Sequence, residues 1–121
     1  MKIFIVEDNS FYAELLSYDL LSKSHDVEVF NSAESCIEAF HDVIPDVLVL
    51  DFFLRDGADG IEVLNEIKKF EHSNCKIVML TSSSSKEVKR LTMENGANYF
   101  LNKSIDSGHE LSRIIKGITC S

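Results

Sequence analysis

Glu7, Asp8, Asp51, Thr81 and Lys103 are the residues able to do chemistry together, since each stands within two positions of the end of a short apolar run. Three carboxylates brought to one place repel, and a site that holds them must raise a pKa, recruit a cation, or both. A hard divalent ion such as Mg²⁺ takes one or two carboxylates and keeps waters, leaving room for a phosphate oxygen. Asp8 and Asp51 are the expected direct ligands, with Glu7 binding directly or through a water. The Lys103 ammonium suits one phosphoryl oxygen and the Thr81 hydroxyl another. Together these groups describe phosphoryl transfer onto an aspartate oxygen through an in-line attack. Asp51 is the expected nucleophile, because it alone ends the central strand and faces both Thr81 and Lys103.

That convergence needs a scaffold with the strand ends at one edge. Pro45-Asp46-Val47-Leu48-Val49-Leu50-Asp51 is an unbroken apolar run after the only proline, as expected of a strand buried on both faces. Ile3–Val6 is a first buried strand, followed by a helix from Ser10 to Lys23 with apolar positions Phe11, Leu15, Leu16 and Leu20. Val27–Phe30 reads as an edge strand, and Asn31 with Glu34 as the cap of a helix carrying Ile37, Ala39 and Phe40. Arg55, Asp56, Gly57, Asp59 and Gly60 mark a turn-rich loop before a helix from Ile61 to Phe70. Lys76–Leu80 is a fourth strand. Ser84 with Glu87 reads as a capping box for a helix to Asn95, stopped by Gly96, whose apolar face is thin: Val88, Leu91 and few others. Asn98–Leu101 is a fifth strand, and Leu111, Ile114, Ile115 and Ile118 form the core-facing stripe of a last helix.

Strands alternating with helices predict an α/β fold: a doubly wound, five-stranded parallel sheet of order 2-1-3-4-5, flavodoxin-like (βα)5. In that order the first and third strands are neighbours at the switch point, where Glu7, Asp8 and Asp51 meet.

At 121 residues the chain suits one domain over residues 1–121. A net charge of -8 disfavours nucleic acid or an anionic membrane as a direct partner. Cys36, Cys75 and Cys120 are odd in number and widely spaced, without clustered histidines, as expected of thiols in a reducing cytoplasm. Glu7 and Asp8 cut the amino-terminal apolar run too short for a signal peptide or a span, and a cytoplasmic protein is expected.

With these residues in view, the chain resembles, over its whole length, a receiver domain of the two-component response regulators. Val6-Glu7-Asp8-Asn9 resembles the acidic pair that holds magnesium, and the 45–51 run resembles the phosphoacceptor strand with Asp51 in the phosphorylated position. Thr81 followed by Ser82 matches the switch hydroxyl, Lys103 the family's lysine, and Phe100 the switch aromatic. The resemblance implies Mg²⁺ or Mn²⁺ as cofactor, with the Phe53 backbone carbonyl as a further ligand. It implies a non-enzyme phosphoacceptor with self-catalysed phosphorylation and dephosphorylation, and a histidine kinase or histidine phosphotransfer protein as donor. Movement of Thr81 and Phe100 then remodels a downstream binding face made by the fourth helix, fifth strand and fifth helix, and a phosphorylation-dependent homodimer is admitted. No output domain is expected within this chain.

The sequence departs from the family pattern in three places. Ser104 replaces the usual proline after Lys103, where a cis bond without proline costs about 3–4 kcal/mol. The loop after Asp51 has Arg55 near the usual proline and reaches Gly60 one residue late. Phe53 puts an apolar side chain where many relatives have a polar one. Three competing readings are a small Mg-dependent aspartyl-phosphate phosphatase, a flavin or nucleotide module, and a phosphorylation-independent binding module. Phe53 occupies the place of the phosphatase's second aspartate, and Glu7-Asp8-Asn9 would repel a phosphate cradled after the first strand.

Overall fold

The structure is a computed structural model that describes residues 1–54, 59–70, 74–82, 85–104 and 106–119. Its elements alternate as expected: β1 (Lys2–Val6), α1 (Ser10–Ser22), β2 (Asp26–Phe30), α2 (Ala33–Phe40), β3 (Val47–Asp51), α3 (Gly60–Ile67), β4 (Lys76–Thr81), α4 (Lys86–Glu94), β5 (Tyr99–Asn102) and α5 (Ser107–Thr119). The strands form one five-stranded sheet in the order β2-β1-β3-β4-β5. All pairings are parallel, with Ile5 opposite Val49, Val49 opposite Val78, and Leu80 opposite Leu101. The predicted doubly wound fold is the observed one.

Strand alternation sends successive side chains to opposite faces. One face carries Phe4, Val6, Leu48, Leu50, Ile77 and Met79 and is covered by α2, α3 and α4; Phe30, Phe40 and Phe70 join it. The other carries Ile3, Ile5, Val47, Val49, Val78 and Leu80 and is covered by α1 and α5 through Leu16, Leu20, Leu111 and Ile115. Packing on both faces explains why β1, β3 and β4 show no polar alternation. β2, at the sheet edge, is half open to solvent.

Local chemistry starts the helices. Asn9 Oδ1 accepts from the Tyr12 N–H at 3.0 Å, Asp59 Oδ1 from the Glu62 N–H at 2.9 Å, and Ser85 Oγ from the Val88 N–H at 3.4 Å. The cap of α2 is Ser32, whose Oγ accepts from the Ser35 N–H at 3.2 Å, and not Asn31, because Ser32 is the last extended residue before the helix. Ser84 lies outside the described residues, as do Arg55, Asp56, Gly57 and Cys120.

Two of the apolar positions that mark α1 in the sequence face outward. Phe11 is 71% exposed and Leu15 is partly exposed, while the core face is Ala13, Leu16, Ser17 and Leu20. The small residues face inward because α5 comes close. A Cβ on Gly108 would lie 2.6 Å from the Leu15 carbonyl oxygen, so only glycine permits this approach. At the far end of α4, Gly96 has φ +101° and its carbonyl accepts from Lys68 Nζ at 3.0 Å, tying the turn to α3.

Candidate functional site

The sheet delivers the expected residues to its carboxyl edge. Glu7 follows β1, Asp51 closes β3, Thr81 closes β4 and Lys103 follows β5. Glu7 is 1% exposed, Asp51 3% and Thr81 0%, whereas Asp8 and Lys103 are intermediate. A carboxylate oxygen from each of Glu7, Asp8 and Asp51 lies within 4.8 Å of the other two.

Lys103 bridges two of the three. Its Nζ lies 3.0 Å from Asp51 Oδ2 and 2.9 Å from Glu7 Oε2. The ammonium donates a hydrogen bond to Asp51. Its contact with Glu7 Oε2 is an ion pair without hydrogen-bond alignment, which leaves that buried oxygen without an aligned donor. Burial would lower the lysine's pKa, but the two carboxylates outweigh it and the net direction is upward, so Lys103 stays charged. Burial pushes the Asp51 carboxyl up to about 6, against the Lys103 hydrogen bond and with the help of the neighbouring Glu7 charge.

Backbone groups complete the frame. The Phe53 N–H donates to Asp51 Oδ1 at 3.3 Å, and the Asn9 N–H to Glu7 Oε1 at 3.2 Å. The Lys103 N–H donates to the Thr81 carbonyl at 2.8 Å, coupling the two strand ends. The Phe53 side chain is 56% exposed at the mouth, edge-on to Phe52 at 4.7 Å, while Phe100 is half-buried on the side covered by α2, α3 and α4.

The Lys103–Ser104 peptide is trans, as are all described peptide bonds. Serines shape the turn from β5 into α5: the Ser104 N–H donates to Ser107 Oγ at 2.7 Å, and the Ser107 hydroxyl donates to the Asn102 carbonyl at 3.1 Å. Sequence reasoning missed both this arrangement and Tyr12, whose ring centroid lies 5.0 Å from Lys103 Nζ. The Ser-x-x-Ser spacing was a usable signal for the turn; nothing in the sequence marks Tyr12, since its contact forms only once α1 and β5 are placed.

Three carboxylates against one ammonium, with a buried carboxylate oxygen lacking an aligned donor, are a donor set that fits a hard divalent cation. The same charge excess disfavours an unaccompanied phosphate. Among the described residues, no helix is long and apolar enough to cross a membrane.

Comparison with known proteins agrees with this geometry. The chain superposes on a putative response regulator from Chloroflexus aurantiacus with a TM-score of 0.86 and 27% identity, covering 99% of this chain and 98% of that one. The BeF3-activated N-terminal receiver domain of Klebsiella pneumoniae RstA matches at 27% identity and TM-score 0.80, covering 96% and 97%. A two-component response regulator from Clostridium difficile shares the fold at TM-score 0.88 and 22% identity, covering 98% and 95%. The family model for the response regulator receiver domain matches residues 3–116. The chain therefore belongs to the receiver domains of two-component response regulators, a family of signalling phosphoacceptors.

Proposed function

We propose that this domain accepts a phosphoryl group from a phosphohistidine donor onto Asp51. The observation that carries the reading is the placing of one ammonium between two buried carboxylates, 3.0 Å from Asp51 and 2.9 Å from Glu7, with Asp8 completing the acidic set. An Asp51 oxygen attacks phosphorus in line. The new O–P bond forms as the donor's P–N bond breaks, and the electron pair of that bond stays on the imidazole nitrogen. Lys103 neutralises one equatorial oxygen and Thr81 donates to another. Glu7, Asp8, Asp51 and the Phe53 carbonyl would hold Mg²⁺ or Mn²⁺, which when bound supplies charge neutralisation at the phosphoryl oxygens.

The acyl phosphate then draws Thr81 and Phe100 toward the site and alters the face formed by α4, β5 and α5, which a downstream protein or a second copy reads. The shallow seating of α4, whose only buried residue is Thr92, supports α4 as the movable part. Phosphorylation and hydrolysis are catalysed by the domain's own residues on itself, with no separate substrate turned over.

The test is intact mass after incubation with acetyl phosphate. A gain of one phosphoryl group that needs Mg²⁺, and that Asp51→Asn and excess chelator each reduce to background, is the expected result. No gain in the unmodified protein with either acetyl phosphate or a phosphohistidine donor would overturn the reading. Phe53 at the mouth should slow water's access, so Phe53→Asn should shorten the lifetime of the phosphorylated form several-fold; an equal or longer lifetime would remove Phe53 from that role.

A further inference from the structure

The Lys103 ammonium has a third neighbour besides Glu7 and Asp51. The Tyr12 ring lies beneath it at 5.0 Å from the centroid, within the distance at which a cation is drawn to an aromatic face. Tyr12 is half-buried, and its hydroxyl lies beside Ser107 and the Ser104 backbone without an aligned partner. Burial pushes the phenol's pKa up, so the ring stays neutral.

Tyr12 belongs to a closed circuit of contacts. Glu7 Oε1 accepts from the Asn9 N–H at 3.2 Å. Asn9 Oδ1 accepts from the Tyr12 N–H at 3.0 Å, the Tyr12 ring meets Lys103, and Lys103 returns to Glu7 Oε2 at 2.9 Å. The first turn of α1 is thus fixed to the same carboxylate that pairs with Lys103. Lys103 follows β5 in a serine-built turn, with its N–H held by the Thr81 carbonyl. Those bonds fix its backbone and leave a long flexible stem free to choose among rotamers.

We propose that Tyr12 is the positioning residue for Lys103, its ring face holding the ammonium between Glu7 and Asp51 at the height where a phosphoryl oxygen is met. An aromatic face suits this role because it attracts the cation without removing a proton from it or competing for the anion the lysine serves. The consequence for phosphoryl transfer rests on the function proposed above; the positioning itself does not.

The experiment is NMR of lysine side-chain methylenes in the full chain, comparing the unmodified protein, Tyr12→Phe and Tyr12→Leu, with uptake from acetyl phosphate measured in parallel. The Lys103 Cε protons should be shifted upfield by the ring in the unmodified protein and in Tyr12→Phe, and should move to the range of the other lysines in Tyr12→Leu. The phosphorylation rate should fall about threefold to tenfold in Tyr12→Leu, with Mg²⁺ affinity within twofold, and be retained in Tyr12→Phe. Should Tyr12→Leu not fold, pentafluorophenylalanine at position 12 reverses the ring's charge distribution while keeping its shape, and should reproduce the loss. Lys103 signals unchanged in Tyr12→Leu, or in the fluorinated variant where that one is used, would overturn the proposal, as would an equal loss in Tyr12→Phe. If the unmodified protein takes up no phosphoryl group, the proposed function fails, and the lysine shifts alone decide the role of Tyr12.

Discussion

The two faces of the sheet are built differently. Beneath α1 and α5 the strands present Ile3, Ile5, Val47, Val49, Val78 and Leu80, a mostly β-branched aliphatic surface, and the two thirteen-residue helices above it approach closely enough to need glycine at position 108. Beneath α2, α3 and α4 lie Phe4, Leu48, Leu50 and Met79 with the rings of Phe30, Phe40 and Phe70, under helices of eight or nine residues. Strand alternation assigns the site's residues to these faces. Asp51 continues the Val47–Val49 series, Glu7 the Ile3–Ile5 series, and Lys103 follows Leu101 by two, so all three fall on the α1/α5 side. Thr81 continues the Ile77–Met79 series and Phe100 packs with that cluster, on the side of α4. The groups proposed to hold the phosphoryl group stand on the tightly packed face, and the pair proposed to move stands beside the helix with the fewest buried residues.

Matched substitutions in the two layers test how differently they are packed. The largest contrast is expected between Leu16→Ala and Val88→Ala. Leu16 is fully buried on the inner side of α1, and its truncation should cost about 2–5 kcal/mol in denaturant unfolding; Val88, partly exposed on α4, should cost under about 1 kcal/mol. Similar costs would show that α4 is as firmly packed as α1. Next, Gly108→Ala places a methyl 2.6 Å from a backbone oxygen that cannot turn aside, and should cost about 1–3 kcal/mol by the same measurement. An unchanged midpoint would mean that the two helices have slack between them.

The thiols of the aromatic face give a pH-dependent contrast. Burial pushes Cys36 and Cys75 up to about 12, so the folded protein keeps both protonated where the unfolded chain ionises them. A raised folded pKa contributes stability that is complete below the unfolded thiol pKa and is lost as pH climbs toward 12. Above about pH 9 the stability should fall by up to about 1.4 kcal/mol per pH unit per thiol. Cys36→Ala should flatten that limb relative to its own neutral-pH stability, and an equally steep fall would locate the alkaline sensitivity elsewhere. The smallest effect belongs to α4's surface, where Arg90 pairs with Glu87 and, at 2.9 Å, with Glu94. All three are exposed, so Arg90→Ala should shift the melting midpoint only slightly, and 1 M salt should erase the difference.

Much of this arrangement was legible in the residues because burial on two faces and strand-end polarity are one-dimensional signals. The five strands follow from where apolar runs stop; the order 2-1-3-4-5 follows from choosing the flavodoxin-like winding, and with it the meeting of Glu7, Asp8 and Asp51. What escaped was decided by neighbours distant in sequence. Phe11 and Leu15, two of the apolar positions that mark α1 in the sequence, are solvent-facing, while Ala13 and Ser17 join Leu16 and Leu20 on the inward face. Thr92 is the buried residue of α4 although its polarity argued otherwise. Ser32 rather than Asn31 caps α2 because both residue types serve and only the backbone's path chooses between them.

The lysine bond onto the Gly96 carbonyl bears on how α4 can move. It fastens the carboxyl-terminal end of α4 to α3, next to a left-handed residue that side-chain-bearing amino acids adopt poorly. Were α4 to move as proposed, sliding would break the tether, whereas a swing about Gly96 would keep it and displace the amino-terminal end the most. That end follows Thr81 in the chain, so the lever's long arm begins beside the site and its pivot lies at the opposite edge of the sheet.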